Sequence, residues 1–537
     1  MATILKMLRW LVPSGAGVVW ALAFPSSGIA GFGWVAPALV LAAAAWAFPG
    51  KPFLGGYIAG LAFCLTALRW LLAVPFPAGA IAGWLALSAF LALYTALWTW
   101  LGCRWIRSDR ASVFDAMAAG SWARRQRWGM GLAALWVAFE IVQSRFLSGF
   151  PWNLLGTSQF RLSPLIQIAS WTGVSGVSFL MAWFSFGLVS SVVLLVKAPS
   201  RRRALAGEIA LPALVVTILF AAGAGRITNS PAPVSVRRIA LIQPSIPQLL
   251  IWDRNESTNR FRALIELTRA ALTNRPDLVV WPEASLPDIS REQFEELRGM
   301  MAGAAVPLLF GADDVEQAEG APAGALPDFY NTAFHLDSKG ELAGRYRKRR
   351  LVAFGEYVPL ERWLPFMKWL TPIGGSFSAG GRPEVFRVGN PPLAVGPLIC
   401  FEDVFAPVCR EAALADVEVF VNFTNLGWFG DGAAQWQHAA AAVFRCVENR
   451  RPMVRATNNG LTCWIDSAGR IREVLRDRSG GIYGPGFLIA EVDIDPSSVR
   501  KATFYRRNGD VFGWVCVCAS TLHVLPMLRG LRRKRAG

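Results

Sequence analysis

Charge is scarce in this sequence. Only 17% of its 537 residues are Asp, Glu, Lys or Arg, against 53% hydrophobic residues and a mean hydropathy of +0.37. An ordinary soluble enzyme of this length carries more charge, so the composition points to a polytopic membrane protein. The zinc spacing is missing as well: there are eight cysteines but no CxxC pair, and Cys64, Cys103, Cys516 and Cys518 lie inside apolar runs. Neither a metal nor a cofactor is expected. Acidic residues are outnumbered, 37 against 54 basic ones, for a net charge of +17. That surplus falls in short clusters between apolar runs, which reads as topology-setting charge and not as a nucleic-acid surface.

Long apolar windows are plentiful. Eight of them, near 8–24, 30–49, 54–75, 80–103, 128–147, 166–196, 208–225 and 509–527, are long enough to cross a hydrocarbon core of roughly 30 Å. Lys6 and Arg9 precede the first, which reads as a retained signal anchor. The chain then divides into a bundle of about seven helices over 1–235, a polar domain over 236–500, and a last span with a basic tail over 501–537. With the N-terminus in the cytoplasm, one side collects Lys51, then Arg104, Arg107, Arg110, Arg124, Arg125 and Arg127, then Lys197 and Arg201 to Arg203. The tail residues Arg529, Arg532, Arg533, Lys534 and Arg535 join them, and the opposite loops are nearly free of Lys and Arg. The positive-inside rule therefore puts the polar domain outside the cytoplasm. Glu140 falls within a span, where a carboxylate is costly, and is expected to point into the bundle.

The polar domain alternates strand and helix patterns. Buried-strand runs are expected at 238–243, 277–281, 307–311, 394–400 and 417–421, with helices at 259–273 and 433–449. This predicts an α/β layer sandwich with reactive residues at strand ends.

Three residue types stand out at those ends. Cys400 closes the run Pro397-Leu398-Ile399-Cys400, Glu283 follows Val280-Trp281-Pro282, and Lys348 sits in Arg345-Tyr346-Arg347-Lys348-Arg349-Arg350. A thiol needs a base to become a nucleophile, and acyl transfer needs positive charge where the oxyanion forms. Each residue also has a plain reading: a core thiol, a strand-end carboxylate paired with an arginine, a solvated basic face. Glu402, next to Cys400, argues against the core thiol. Cys409, Cys446 and Cys463 share the domain, and a disulfide among them stays open. The aromatic stretch 360–377, with Trp363, Phe366, Trp369 and Phe377 and the glycines Gly374 and Gly375, reads either as a lid entering the bilayer or as a buried amphipathic helix.

Beyond the single residues, the polar domain resembles the nitrilase superfamily, and the chain as a whole resembles the apolipoprotein N-acyltransferase family. The match rests on Gly149-Phe150-Pro151-Trp152, Ile246-Pro247-Gln248 with Trp252, Trp281-Pro282-Glu283, Lys348 with Phe354-Gly355-Glu356-Tyr357-Val358-Pro359, Ile399-Cys400-Phe401-Glu402, Trp428-Phe429-Gly430-Asp431, Trp436-Gln437-His438 and Asn458-Asn459-Gly460. The resemblance implies a polytopic α-helical membrane bundle of about eight spans with an inserted αββα nitrilase-like sandwich. It implies a Glu283, Lys348, Cys400 triad, with Phe401 supplying a backbone oxyanion donor. Glu356, Glu402, Trp252 and Trp428 take pocket or supporting places. It also implies a monomer of the bacterial inner membrane, its catalytic domain on the periplasmic side, that moves a fatty acyl group from a phospholipid to the diacylglyceryl-cysteine of an apolipoprotein. The alternative is a membrane-tethered amidase that hydrolyses its acyl-enzyme. Phe401 stands where the family often has Tyr, Ala353 where Pro is usual, and Leu426 where Asp often follows Asn.

Overall fold

The computed structural model describes residues 2–107, 112–200, 205–229, 234–287, 289–317, 327–359, 361, 363, 371, 375–495 and 501–536. Arg110, Arg201 to Arg203, Leu360, Phe366, Trp369 and Gly374 lie outside the described residues. The chain forms two compact units, one of Met1–Leu71, Gly83–Ser230 and Asn508–Gly537, the other of Leu72–Ala82 and Pro231–Arg507.

The first unit is helical. Its long apolar stretches lack the turn residues and alternation a sheet needs, and each expected window carries a helix. Among the described residues three helices are long and apolar enough to cross a membrane: Pro77–Ile106, Val174–Lys197 and Leu205–Thr228. Ala36–Ala47, Pro52–Ala67 and Val511–Met527 are apolar but shorter. The window expected at 166–196 is interrupted, because Gly173 takes φ +65° and separates the short helix Ala169–Thr172 from Val174–Lys197. Helix Trp122–Gln143 opens on three arginines. One of them, Arg125, is no loop charge: it is buried and paired with Glu208 at 2.7 Å. Glu140 is buried too, its Oε1 accepting from Trp136 Nε1 at 3.0 Å and from Leu155 N at 2.7 Å. Arg145, five residues on, pairs with Asp510.

The second unit contains two six-stranded sheets. The first runs β12-β1-β2-β3-β4-β5, with β1 Ser235–Gln243, β2 Leu278–Val280, β3 Leu308–Glu316, β4 Asp328–Leu336, β5 Leu342–Arg347 and β12 Gly486–Ile494. The second runs β11-β10-β9-β8-β7-β6, with β6 Phe386–Val388, β7 Leu393–Ile399, β8 Val419–Thr424, β9 Met453–Thr457, β10 Cys463–Ile465 and β11 Ile471–Val474. Each sheet has three central parallel strands, β1-β2-β3 and β7-β8-β9, flanked by antiparallel ones. Central strands covered on both faces lose alternation, so β7 and β8 are buried at every residue. Ile239, Leu241 and Val280 of one sheet pack against Val395, Val421 and Val454 of the other in a shared core. A second core lies on the outer face of the first sheet, where Phe261, Leu264 and Leu297 come from helices Ser257–Leu272 and Arg291–Ala304. Helix Ala406–Leu414 packs on β7 of the second sheet, and helix Ala433–Asn449 packs beside it against the turn Cys400–Val404. The order is helix, sheet, sheet, helix.

Candidate active site

Three chain segments deliver the site at strand ends. Glu283 follows β2 after Trp281, fully buried with its indole N–H donating to Thr268 Oγ1 at 2.8 Å, and Pro282. Ala284 then takes φ +51°, turning the chain so that the carboxylate stays at the strand end. The neighbouring β3 passes so near that a Cβ on Gly311 would stand 2.7 Å from the Glu283 Cα, which only glycine permits. Lys348 comes one residue after β5. The pleat decides which cation of this basic run is internal: Tyr346 and Lys348 turn inward and are buried, while Arg347 and Arg345 turn outward and bind Asp314 at 2.6 and 3.2 Å. Cys400 directly follows β7 with φ +50°, opening the helical turn Cys400–Val404.

The polar contacts converge on the lysine. Lys348 Nζ lies 2.8 Å from Glu356 Oε1 and 3.2 Å from Glu283 Oε1. Asn331 Nδ2 donates to the same two oxygens, at 2.9 and 2.8 Å, and so fixes the spacing of the carboxylates. The other Glu283 oxygen accepts from Asn425 N at 2.9 Å, and the other Glu356 oxygen from Val352 N at 2.9 Å. Burial works against the lysine charge, but Glu283 and Glu356 outweigh it and hold Lys348 well above the usual lysine range. It therefore remains an ammonium.

Cys400 is partly exposed, and its carbonyl accepts from Asn422 Nδ2 at 2.9 Å. Burial of the thiol, reinforced by the Glu283 charge, pushes it up to about 12, with the Lys348 charge pulling the other way. A thiol in that range is protonated at neutral pH. Only a base acting as it attacks makes it a nucleophile.

The remaining residues fall into place around these three. Glu402 is fully buried. Its Oε1 accepts from Arg349 N at 2.7 Å and Arg350 N at 3.2 Å, its Oε2 from Tyr346 Oη and Ile399 N, both at 2.8 Å. It thus ties the lysine segment to the end of β7. Phe401 packs edge-on to Phe405 at 5.1 Å. Trp252 is half exposed, and Trp428 sits in the turn Leu426–Phe429 after β8. His438 is buried against Asp403, which also takes Arg455, and burial holds its imidazole below the usual range. Cys409, Cys446 and Cys463 are buried free thiols, so the disulfide left open by the sequence is not formed. In the aromatic stretch Trp363 is 82% exposed. No cluster able to hold a metal occurs among the described residues.

Some of the site was missed in the sequence. Asn331, Asn425 and Asp313 were not singled out. A lone Asn in the run Phe329-Tyr330-Asn331-Thr332-Ala333-Phe334 is a detectable signal, since a buried strand position rarely takes one without a partner. Asp313 lies opposite Asn331 in the β3–β4 register, hence on the same face. Burial, with the charges of Glu283 and Glu356, pushes its carboxyl up to about 7.

Known proteins bear on the arrangement. Residues 16–187 match the family described as apolipoprotein N-acyltransferase N-terminal domain, and residues 238–503 match carbon-nitrogen hydrolase. An apolipoprotein N-acyltransferase of Geobacter metallireducens is 32% identical over 94% of this chain and 93% of its own length. One of Caulobacter vibrioides is 28% identical over 86% and 83%. Among solved structures, an amidase from Nesterenkonia sp. AN1 shares 19% identity over 52% of this chain and 96% of that one, with a TM-score of 0.37, too slight a likeness to argue from.

Proposed function

Because the chain belongs to the apolipoprotein N-acyltransferase family, we propose that it N-acylates the diacylglyceryl-cysteine of lipoproteins with a fatty acyl group taken from a phospholipid. Glu283 takes the thiol proton of Cys400 as the sulfur attacks the ester carbonyl. Lys348 and the Phe401 backbone N–H receive the oxyanion. The tetrahedral intermediate collapses, Glu283 returns the proton to the departing lyso-phospholipid oxygen, and a thioester remains on Cys400. The neutral α-amine of the acceptor then attacks the thioester and gives a proton to Glu283. The thiolate leaves, regains that proton, and the amide is released.

The observation that supports this best is the buried ammonium of Lys348 shared by Glu283 and Glu356 at the strand end beside Cys400. A base and a fixed positive charge in one place are what two successive tetrahedral intermediates require. In this reading the eight apolar windows are spans, the domains meet at 235/236 and 500/501, within a few residues of the unit boundaries after Ser230 and Arg507, and the catalytic unit works as a monomer above the outer leaflet of the bacterial inner membrane. Glu356 orients Lys348. Glu402 braces the turn, and the exposed Trp252 and the half-buried Trp428 border the lipid path. Incubation with phospholipid and a diacylglyceryl-cysteinyl peptide should yield N-acylated peptide and lyso-phospholipid in equal amounts. Release of free fatty acid in place of the amide would make the enzyme a hydrolase.

A further inference from the structure

The helical unit encloses a cavity of about 50 Å³ that the chemistry above does not use. By the measure in which one water needs about 10–15 Å³, it holds a handful of non-hydrogen atoms. Aromatic rings make most of its wall. Trp20 stacks on Phe63 at 3.6 Å and meets Trp136 edge-on at 5.2 Å, and Trp136 meets Trp98 at 4.9 Å.

The polar atoms on this wall divide into two sets. Trp98 Nε1 donates to Leu132 O at 3.0 Å and Trp136 Nε1 to Glu140 Oε1 at 3.0 Å, so both are satisfied. Trp20 Nε1, Tyr94 Oη and Glu140 Oε2 are buried and have no hydrogen-bond partner among the described residues. The Ser178 hydroxyl is near Glu140 but falls short of bonding geometry with Oε2. Glu140 is only 8% exposed. Buried polar groups without partners are few in folded proteins, and three on one small cavity mark the place of a polar occupant.

We propose that this cavity binds the primary ammonium end of a lipid-borne amine. A carboxylate oxygen rejects an anion, and a hydrocarbon would leave all three polar atoms unpaired. An ammonium has three N–H groups, enough for Glu140 Oε2 and Tyr94 Oη, while the ring faces attract its charge. The indole N–H of Trp20, a donor only, matches an oxygen a short way along the same molecule. An aminoethyl group has the size of the space. The choice of ligand rests on the acyl-transfer reading, which brings two such amines to the membrane: the ethanolamine headgroup of a donor phospholipid and the α-ammonium of the diacylglyceryl-cysteine acceptor.

The test uses the full chain carrying Cys400→Ala, which cannot be acylated, in phosphatidylglycerol nanodiscs. Native mass spectrometry compares phosphatidylethanolamine with N-acetyl-phosphatidylethanolamine, and a diacylglyceryl-cysteinyl peptide with its N-acetylated twin. One free amine should bind about tenfold tighter than its acetylated form, and the pair that shows the preference identifies the source. Glu140→Gln and Tyr94→Phe should each reduce the ratio at least several-fold, the second by removing a single oxygen that cannot unfold the bundle. Equal binding of both twins in both pairs, or a ratio untouched by the two variants, would mean ordered water only and overturn the proposal. Amine preference without any acylation of the unaltered Cys400 chain would instead sink the acyl-transfer reading and leave the site standing.

Discussion

A thiol pushed to about 12 and an ammonium pinned between two carboxylates divide the labour at the scale of single residues. In the proposed mechanism Lys348, which stays charged, serves the oxyanion and not the proton. Glu283, which touches that lysine, is the proposed base. The rival base is His438, but its Nε2 is committed to Asp403 and burial favours its neutral form. Glu283→Gln should therefore block thioester formation, while His438→Ala should lower it only modestly, both read by trapped acyl-enzyme. The reverse ranking would reassign the chain to Cys-His chemistry. Asp313 gives a prediction in pH. Its folded carboxyl is pushed up to about 7 from the ordinary aspartate value of 3.8, so it costs nothing below pH 4, progressively destabilises the fold as pH rises to 7, and keeps that cost above. Asp313→Asn should raise the thermal unfolding midpoint at pH 8 and leave it nearly unchanged at pH 4, with an upper bound of roughly 4 kcal/mol from about 1.4 kcal/mol per unit. A destabilised variant at pH 8 would contradict this. Cys400, Glu283 and Lys348 were legible because short motifs surround them. Asn331 and Asp313 were not, since their place depends on a register between strands that no local pattern states.

At the scale of elements, buried polar ties hold the site together. Glu402 receives four hydrogen bonds from the ends of β5 and β7. Glu402→Ala leaves those donors buried and unpaired, and should cost about 3–5 kcal/mol in unfolding free energy. A loss below about 1 kcal/mol would show that the tie is dispensable. Gly311→Ala tests the other strand: its methyl would push Glu283 off β3, so acyl-enzyme formation should fall while the fold persists. Wild-type rates in that variant would show the contact to be slack. The apolar strands β1, β2, β7 and β8 were legible as buried runs. β3 extends to Glu316, well past the expected end at 311, because Asp313, Asp314 and Glu316 pair along β4 without any apolar signal. β4 and β5 escaped for the same reason, although the period of two in Arg345 to Lys348 already separates an inward lysine from outward arginines.

For the whole molecule, positive charge in alternate loops supports the proposal that the catalytic unit lies outside the cytoplasm. Arg125 is withdrawn from that count by its buried pairing with Glu208, yet Lys51, Arg104, Arg107, Arg124 and Arg127 still mark the same side. In spheroplasts, a membrane-impermeant thiol reagent should label Cys400, the partly exposed cysteine of the catalytic unit. In a Cys400→Ala background, Ser121→Cys should label only after lysis. Labelling of that site in intact spheroplasts would invert the topology. The division into a helical part and an α/β part was legible from composition. The count of spans was less so, because Gly173 interrupts the helix expected over 166–196 and the arginines of helix Trp122–Gln143 weaken its hydropathy signal.

Everything in the proposed chemistry passes through one covalent species, the thioester on Cys400. Intact-mass and peptide mass spectrometry of the chain incubated with phospholipid and no acceptor reads it directly. The account predicts one fatty acyl group on the Cys400 peptide, removed by hydroxylamine and by the lipopeptide amine, and absent from Cys400→Ser and Glu283→Gln. An unmodified Cys400 in protein that still N-acylates the peptide, or an acyl group on another residue, would contradict it.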